Sequence, residues 1–125
     1  MDIQSLELDV ACYASAAYHE GSTKYERIAI INTIRNRLNS GRWGRNVCSV
    51  VYAHGQFIGV TDPTHEPVNE KTYLETKLLV IDTIIFHKYA NPVADALYFH
   101  DDSLSSKAKW YGKHKKIKIG RMTFY

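Results

Sequence analysis

Glu20 closes a helical stripe that is otherwise apolar, and a carboxyl group in that setting can serve as an acid. Leu6, Val10, Tyr13, Ala17 and Glu20 follow one another at spacings of four, three, four and three. That is the rhythm of one buried helix face. A carboxyl at its last step emerges where core meets solvent. Desolvation there disfavours the ionised form and raises the pKa toward the range in which a general acid works near neutral pH. Gly21 then ends the helix, so Glu20 stands beside a turn and not in mid-helix. The plainer reading of the same residues is a surface glutamate at a frayed terminus.

Two further clusters carry chemistry of a kind that suits a sugar. Gln56 and Phe57 follow a helix that ends near Gly55. An amide that both donates and accepts can pair with hydroxyls while an aromatic face stacks on the ring. The alternative is a helix cap with Phe57 in the core. Tyr98, Phe99 and His100 form an aromatic group with Asp101 and Asp102 just after it. Strand alternation sends Tyr98 and His100 to one face and Phe99 to the other. His100 has no second ligand at a recognisable spacing, so a loop-fixing histidine is expected and no metal or other cofactor. The segment 107–121 interleaves Lys107, Lys109, Lys113, Lys115, Lys116, Lys118 and Arg121 with Trp110 and Tyr111. Such a pattern fits single-stranded nucleic acid or an anionic wall polymer, and equally a solvated lysine face. No GxSxG, P-loop, HExxH or dinucleotide fingerprint is present.

These residues need helices and a small sheet to position them. The first helix is expected over 5–19. Thr23-x-x-Glu26 reads as a capping box opening the second, whose Ile28, Ile31, Ile34 and Leu38 keep helical spacing until Gly41. A short helix follows from Val47 to about residue 53, then an irregular stretch 54–68 rich in glycine and proline. A further helix over 71–87 places Leu74, Leu78, Ile81 and Ile85 on one face and closes at Asn91-Pro92. A short strand is expected at 96–100, and one or two more over 115–120 and 122–125. The fold class is α+β and mostly helical: three main helices with a small C-terminal β region, in a single domain over 1–125.

Composition bounds the rest. At 125 residues and 45% apolar content the chain is long enough for one core, and no apolar run is long enough to span a membrane. A net charge of only +3 makes the basic segment a weak argument for nucleic acid. The start, Met1-Asp2-Ile3-Gln4-Ser5, lacks the basic and apolar regions of a signal peptide. Cys12 and Cys48 fit neither a disulfide scaffold nor a zinc spacing. Two buried free thiols are expected, with a single Cys12–Cys48 bridge as the alternative in an oxidising compartment.

Three blocks, in order along nearly the whole chain, resemble the SleB-like cell wall hydrolases, spore-cortex lytic enzymes with a lysozyme and transglycosylase-type fold. Tyr18-His19-Glu20, then Tyr25-Glu26-Arg27-Ile28-Ala29-Ile30 and Asn36-Arg37, resemble that family's glutamate-bearing helix end, its Y-E-G-x-x-A-V stretch and its N-R ending. Asn46 to Tyr52 with Gly55-Gln56-Phe57 is similar to V-C-x-V-V-Y…G-Q-F, the most specific of the three. Ala96-Leu97-Tyr98-Phe99-His100, Trp110, Ile119-Gly120 and Phe124-Tyr125 resemble A-L-Y-F-H…W…I-G…F-Y.

The chain departs from the pattern in three places. The family reads E-A-R-G-E, whereas the spacing after Glu20 is about two residues shorter and lacks the second glutamate. Met122 stands where the family has a histidine. A different register would put Ser15 under the catalytic glutamate and imply a dead, wall-binding domain; the Glu20 register is preferred because the glutamate then ends its helix.

The resemblance implies cleavage of peptidoglycan between N-acetylmuramic acid and N-acetylglucosamine, with Glu20 as general acid. Gln56, Phe57, Tyr98, His100 and Trp110 would bind substrate, and Asp62, Glu66, Asp101 and Asp102 are candidates for a second carboxylate. Lytic transglycosylation of the same bond is the alternative, and a basic non-catalytic wall- or nucleic-acid-binding module the alternative of another class. A small catalytic domain without wall-binding repeats resembles an antibacterial type VI secretion effector or a phage lysin. It would act in the periplasm or cell wall of a target bacterium, without membrane insertion, and an effector would have a cognate immunity protein.

Overall fold

Helix α1 spans Ile3–Glu20, α2 Lys24–Ser40, α3 Val47–Val51 and α4 Glu70–Val80; strands β1, β2 and β3 are Phe99–Asp101, Ile117–Ile119 and Met122–Phe124. The structure is a computed structural model that describes residues 3–53, 69–102 and 115–125. The expected α+β, mostly helical class is what it shows, with a three-stranded antiparallel sheet in the order β1-β3-β2.

The capping box at the start of α2 forms as expected. The Glu26 amide donates to Thr23 Oγ1 at 3.2 Å and the Thr23 amide to Glu26 Oε1 at 3.2 Å. At the far end Gly41 takes φ 74°, a left-handed cap that a side chain would strain. Between these ends α2 is surrounded: Ile28, Ile30, Ile31 and Ile34 are buried in one core with Met122 and Phe124 of β3. Each such side chain contributes about 1.5–3 kcal/mol. Asn32 and Thr33 are tolerated there because each donates to a carbonyl four residues back, at 2.9 Å.

Helix α1 is buried more widely than one stripe predicts. Cys12, Tyr13, Ala14, Ala16 and Ala17 are all buried, because α2, α3 and α4 pack against it from different sides. The stripe's ends, Leu6, Val10 and Glu20, are half-buried.

Three expectations need correction. First, Cys12 and Cys48 are not free thiols: they form a disulfide with Cα atoms 5.3 Å apart, tying α1 to α3. Second, the apolar face Leu74, Leu78, Ile81 and Ile85 is not the core face of α4. Leu74 and Leu78 are 58% and 61% exposed, while Thr76, Leu79, Val80 and Thr83 point inward. Both faces have helical periodicity. The inward one is compact, and its hydroxyls are satisfied on the carbonyls of Thr72 and Leu79 at 2.8 and 2.7 Å. The helix expected over 71–87 is α-helical only to Val80. Ile81–Ile85 makes one π-helical turn and the chain leaves it through His87 at φ 51°. Third, the strand expected from residue 96 begins at Phe99. The backbone ahead of it is taken by other partners: Leu97 and Tyr98 amides both donate to the Tyr125 carbonyl at 2.9 Å.

The register then decides which side chains share a face. Phe99 lies opposite Phe124 and Asp101 opposite Met122, with Ile117 and Ile119 facing the same two residues from β2. By the two-residue period, Phe99 and Asp101 share the side of the sheet that carries the buried Met122 and Phe124.

Candidate functional site

Glu20 is the last residue of α1, half-buried, at the point where the chain turns into α2. The turn is tight for steric reasons. Gly21 is buried, its amide donates to the Ala17 carbonyl at 3.0 Å, and a Cβ there would meet Arg27 Cγ at 2.9 Å and Ile30 Cδ1 at 3.0 Å. Gly21 is thus required for close packing. Burial raises the Glu20 carboxyl above the ordinary glutamate range, and the Asp101 carboxylate raises it further. Both causes favour the protonated acid. Asp101 stands exposed at the end of β1, and Asp102 after it pairs with Lys118.

Glu26 is a carboxylate of the opposite kind. It is 2% exposed. Its Oε1 accepts from the Ser22 and Thr23 amides at 2.7 and 3.2 Å, and its Oε2 accepts from the Arg121 amide at 2.8 Å. Burial alone would raise its pKa. The three amides and the Arg121 charge outweigh burial and hold it below the usual range. Glu26 is therefore an ionised structural tie, fixing the β2–β3 turn against the segment that follows Glu20. Gly120 makes that turn possible: it has φ 58°, and a Cβ would lie 2.3 Å from Glu26 Oε2. The capping role was readable from the sequence, but the tie to Arg121, 95 residues away, was not.

The aromatic group divides as strand alternation predicts. Tyr98 and His100 both meet the Tyr125 ring, at 5.7 and 5.4 Å, while Phe99 meets Phe124 at 5.7 Å. His100 is buried, with Nδ1 3.4 Å from the Tyr125 hydroxyl. Burial lowers its pKa, Asp101 opposes this, and Lys118 adds to the lowering. Tyr98 also packs edge-on against Trp43 at 5.8 Å. Asp101, two residues beyond the Phe99 that faces Phe124, links the two groups electrostatically, since its charge acts on both Glu20 and His100. Gln56, Phe57, Trp110, Asp62 and Glu66 lie outside the described residues, as do Lys107, Lys109, Tyr111 and Lys113 of the basic segment. Among the described residues no group of histidine, cysteine and acidic side chains is arranged to hold a metal ion.

Sequence reasoning gave no role to the buried end of α2. Arg37 is 3% exposed, its Nε donates to the Leu97 carbonyl at 2.6 Å, and its guanidinium lies 4.6 Å from the Trp43 ring centre. Burial pushes its pKa down to about 10. Asn36 Nδ2 donates to the carbonyls of Ala94 and Ala96 at 2.9 Å each. The Asn-Arg pair at the helix end thus clamps the segment leading into β1, and adjacent long polar residues on a buried helix were the available signal.

The fold is a mostly helical domain with a small three-stranded antiparallel sheet, of the lysozyme-like type. Residues 21–125 match the family described as cell wall hydrolases, and the chain belongs to that family. The match begins immediately after Glu20. The solved catalytic domain of the germination-specific lytic transglycosylase SleB from Bacillus anthracis is similar to this chain. The two are 28% identical over 93% of this chain and 92% of that one, with a TM-score of 0.71. Among curated proteins none matches.

Proposed function

We propose that this protein is a peptidoglycan glycosidase, a muramidase that cleaves the β-1,4 bond between N-acetylmuramic acid and N-acetylglucosamine with Glu20 as general acid. The observation that carries the reading is the half-buried Glu20 carboxyl at the end of α1, held toward its protonated form by burial and by Asp101. In the first step Glu20 gives its proton to the glycosidic oxygen as the bond to the muramic C1 breaks, so N-acetylglucosamine leaves with a neutral 4-hydroxyl. The Glu20 carboxylate then takes a proton from the incoming nucleophile. With water the product is a reducing muramic end; with the muramic 6-hydroxyl it is an anhydro end. The likeness to a lytic transglycosylase domain favours the second outcome as the alternative. Mass spectrometry of muropeptides released from sacculi separates them: hydrolysis predicts reducing ends, and anhydro-muramic ends throughout would overturn it in favour of transglycosylation.

Asp101 is the described carboxylate whose charge reaches Glu20, which favours it over Asp102, committed to Lys118. Its negative charge keeps the proton on Glu20, so removing it lowers the Glu20 pKa. Asp101→Asn should therefore move the alkaline limb of the kcat/KM profile to lower pH while retaining turnover on the acid side. A uniform loss of about 10²-fold or more across the profile would instead make Asp101 the second catalytic carboxylate of a hydrolase. An unmoved profile with full activity would remove it from the site.

Gln56, Phe57, Tyr98, His100 and Trp110 complete the proposed substrate contacts. The Cys12–Cys48 bond fits action in an oxidising compartment, the periplasm or wall of a target bacterium. An antibacterial effector or lysin fits that location, with an immunity protein covering the cleft in the effector case.

A further inference from the structure

At the other end of α2 from Glu20 a cavity of about 630 Å³ opens between the segment Val93–Tyr98 and the C-terminal strand region. By helical rise, Arg37 lies roughly 16 Å along α2 from Glu26, which is itself bonded to Ser22 and Thr23 beside Glu20. The Arg42 end of the cavity therefore lies well along α2 from Glu20, while Tyr98 on its near side is three residues from Asp101. Its wall is pre-formed. Ala94 and Ala96 carbonyls are held by Asn36, the Ala94 carbonyl also by Asn91 at 2.8 Å, and the Leu97 carbonyl by Arg37. Such a rigid wall loses little freedom when a ligand settles on it.

Its polar groups are of complementary sign. Arg42 and Lys115 supply positive charge and Asp95 supplies a negative one, while Tyr98 lines the wall, stacked on Tyr125 and with the Arg37 guanidinium 5.6 Å from its ring centre. The positive side is reinforced from behind: the Arg37 and Arg42 guanidinium groups lie 4.6 and 4.8 Å from the same Trp43 ring. A ligand suited to this set bears a carboxylate for Arg42 and Lys115 and an amine for Asp95. A neutral sugar ring offers neither charge. The short peptides attached to the muramic acids of the wall polymer offer both.

We propose that this pocket is a docking subsite for the peptide stem of peptidoglycan, with Arg42 and Lys115 on its carboxylates and Asp95 on its amine. The proposal rests on the cell-wall reading and extends it. Arg42, Lys115 and Asp95 read the peptide at this subsite, and the enzyme grips a stem as well as the glycan it cuts. Peptide-substituted strands are then better substrates than bare ones.

The test uses the tripeptide L-Ala-γ-D-Glu-diaminopimelate as probe, titrated by NMR into full-length Glu20→Gln protein so that binding is read without turnover. Shifts should concentrate at residues 93–98, and the Arg42→Ala/Lys115→Ala double variant should bind at least about tenfold more weakly, with a folded spectrum. Acetylating the probe's diaminopimelate amine should weaken binding to the protein that retains Asp95 but not to Asp95→Asn. With the catalytic Glu20 restored, the preference in kcat/KM for peptide-bearing over amidase-stripped glycan strands should fall by a similar factor in the double variant. Equal binding by the double variant, shifts confined elsewhere, or no binding at millimolar probe would overturn the proposal. Cleavage of glycan without tripeptide binding removes the subsite and leaves the glycosidase. Tripeptide binding in a protein that cleaves no glycan removes the glycosidase and leaves the pocket.

Discussion

Glu20→Gln is expected to slow lysis of sacculi by about 10²–10⁴-fold, the usual worth of a positioned general acid, while leaving the protein folded. Glutamine keeps the shape and one hydrogen-bonding pattern of the protonated acid but has no proton to give. The stability of the variant adds a second, independent reading. The folded-state pKa of Glu20 is raised, chiefly by burial and then by Asp101. A group of that kind favours folding below its unfolded pKa, and this contribution is lost as pH rises through the folded pKa, where a charge must sit in a partly desolvated place. Glutamine carries no charge to desolvate. The variant should therefore melt at or above the wild-type temperature at neutral and alkaline pH. Loss of activity together with an unchanged or raised melting temperature is the signature of a residue kept for chemistry. A well-folded variant that still clears sacculi would remove Glu20 from the reaction and reopen the register that places Ser15 at the catalytic position.

The parts of this fold legible in the sequence are those whose partners lie within a turn. Thr23 and Glu26 are three residues apart, and their reciprocal bonds follow from that spacing alone. The Gly41 cap and the Tyr98/His100 alternation are local in the same sense. The place of Glu20 at the end of α1 and the upward direction of its carboxyl pKa were legible too. What failed was decided by distant residues. The two faces of α4 are both periodic, and only the neighbours packed on it select Thr76, Leu79, Val80 and Thr83 over Leu74 and Leu78. That the charge of Asp101 acts on Glu20 was not legible, because the position of Asp101 depends on its pairing with Met122, 21 residues on. Arg37 shows the same limit: its role is to hold the Leu97 carbonyl, 60 residues away, and no spacing rule reaches that far.

Reduction of the Cys12–Cys48 bond should cost about 3–4 kcal/mol of stability, which for a chain of this length lowers the melting temperature by about 10–20 °C. The estimate follows from the 36-residue separation of the two cysteines, which the bond closes into a loop in the unfolded chain. Reduction frees that loop in the unfolded state while the folded core stays packed around Cys12, so the loss falls mainly on the unfolded side of the balance. The bond also has a geometric consequence. It fastens α1, whose last residue is Glu20, to α3, the helix that leads to Gln56 and Phe57 in sequence. Calorimetric melts with and without a thiol reductant, repeated on Cys48→Ala, read the effect directly: the variant should match the reduced wild type and be insensitive to reductant. A reduced protein that melts within about 2 °C of the oxidised one would mean the bond contributes nothing to the fold. If the drop occurs, the same chain is several kcal/mol less stable in a reducing cytoplasm than in an oxidising periplasm or wall, so its folded, active population rises where its proposed substrate is found.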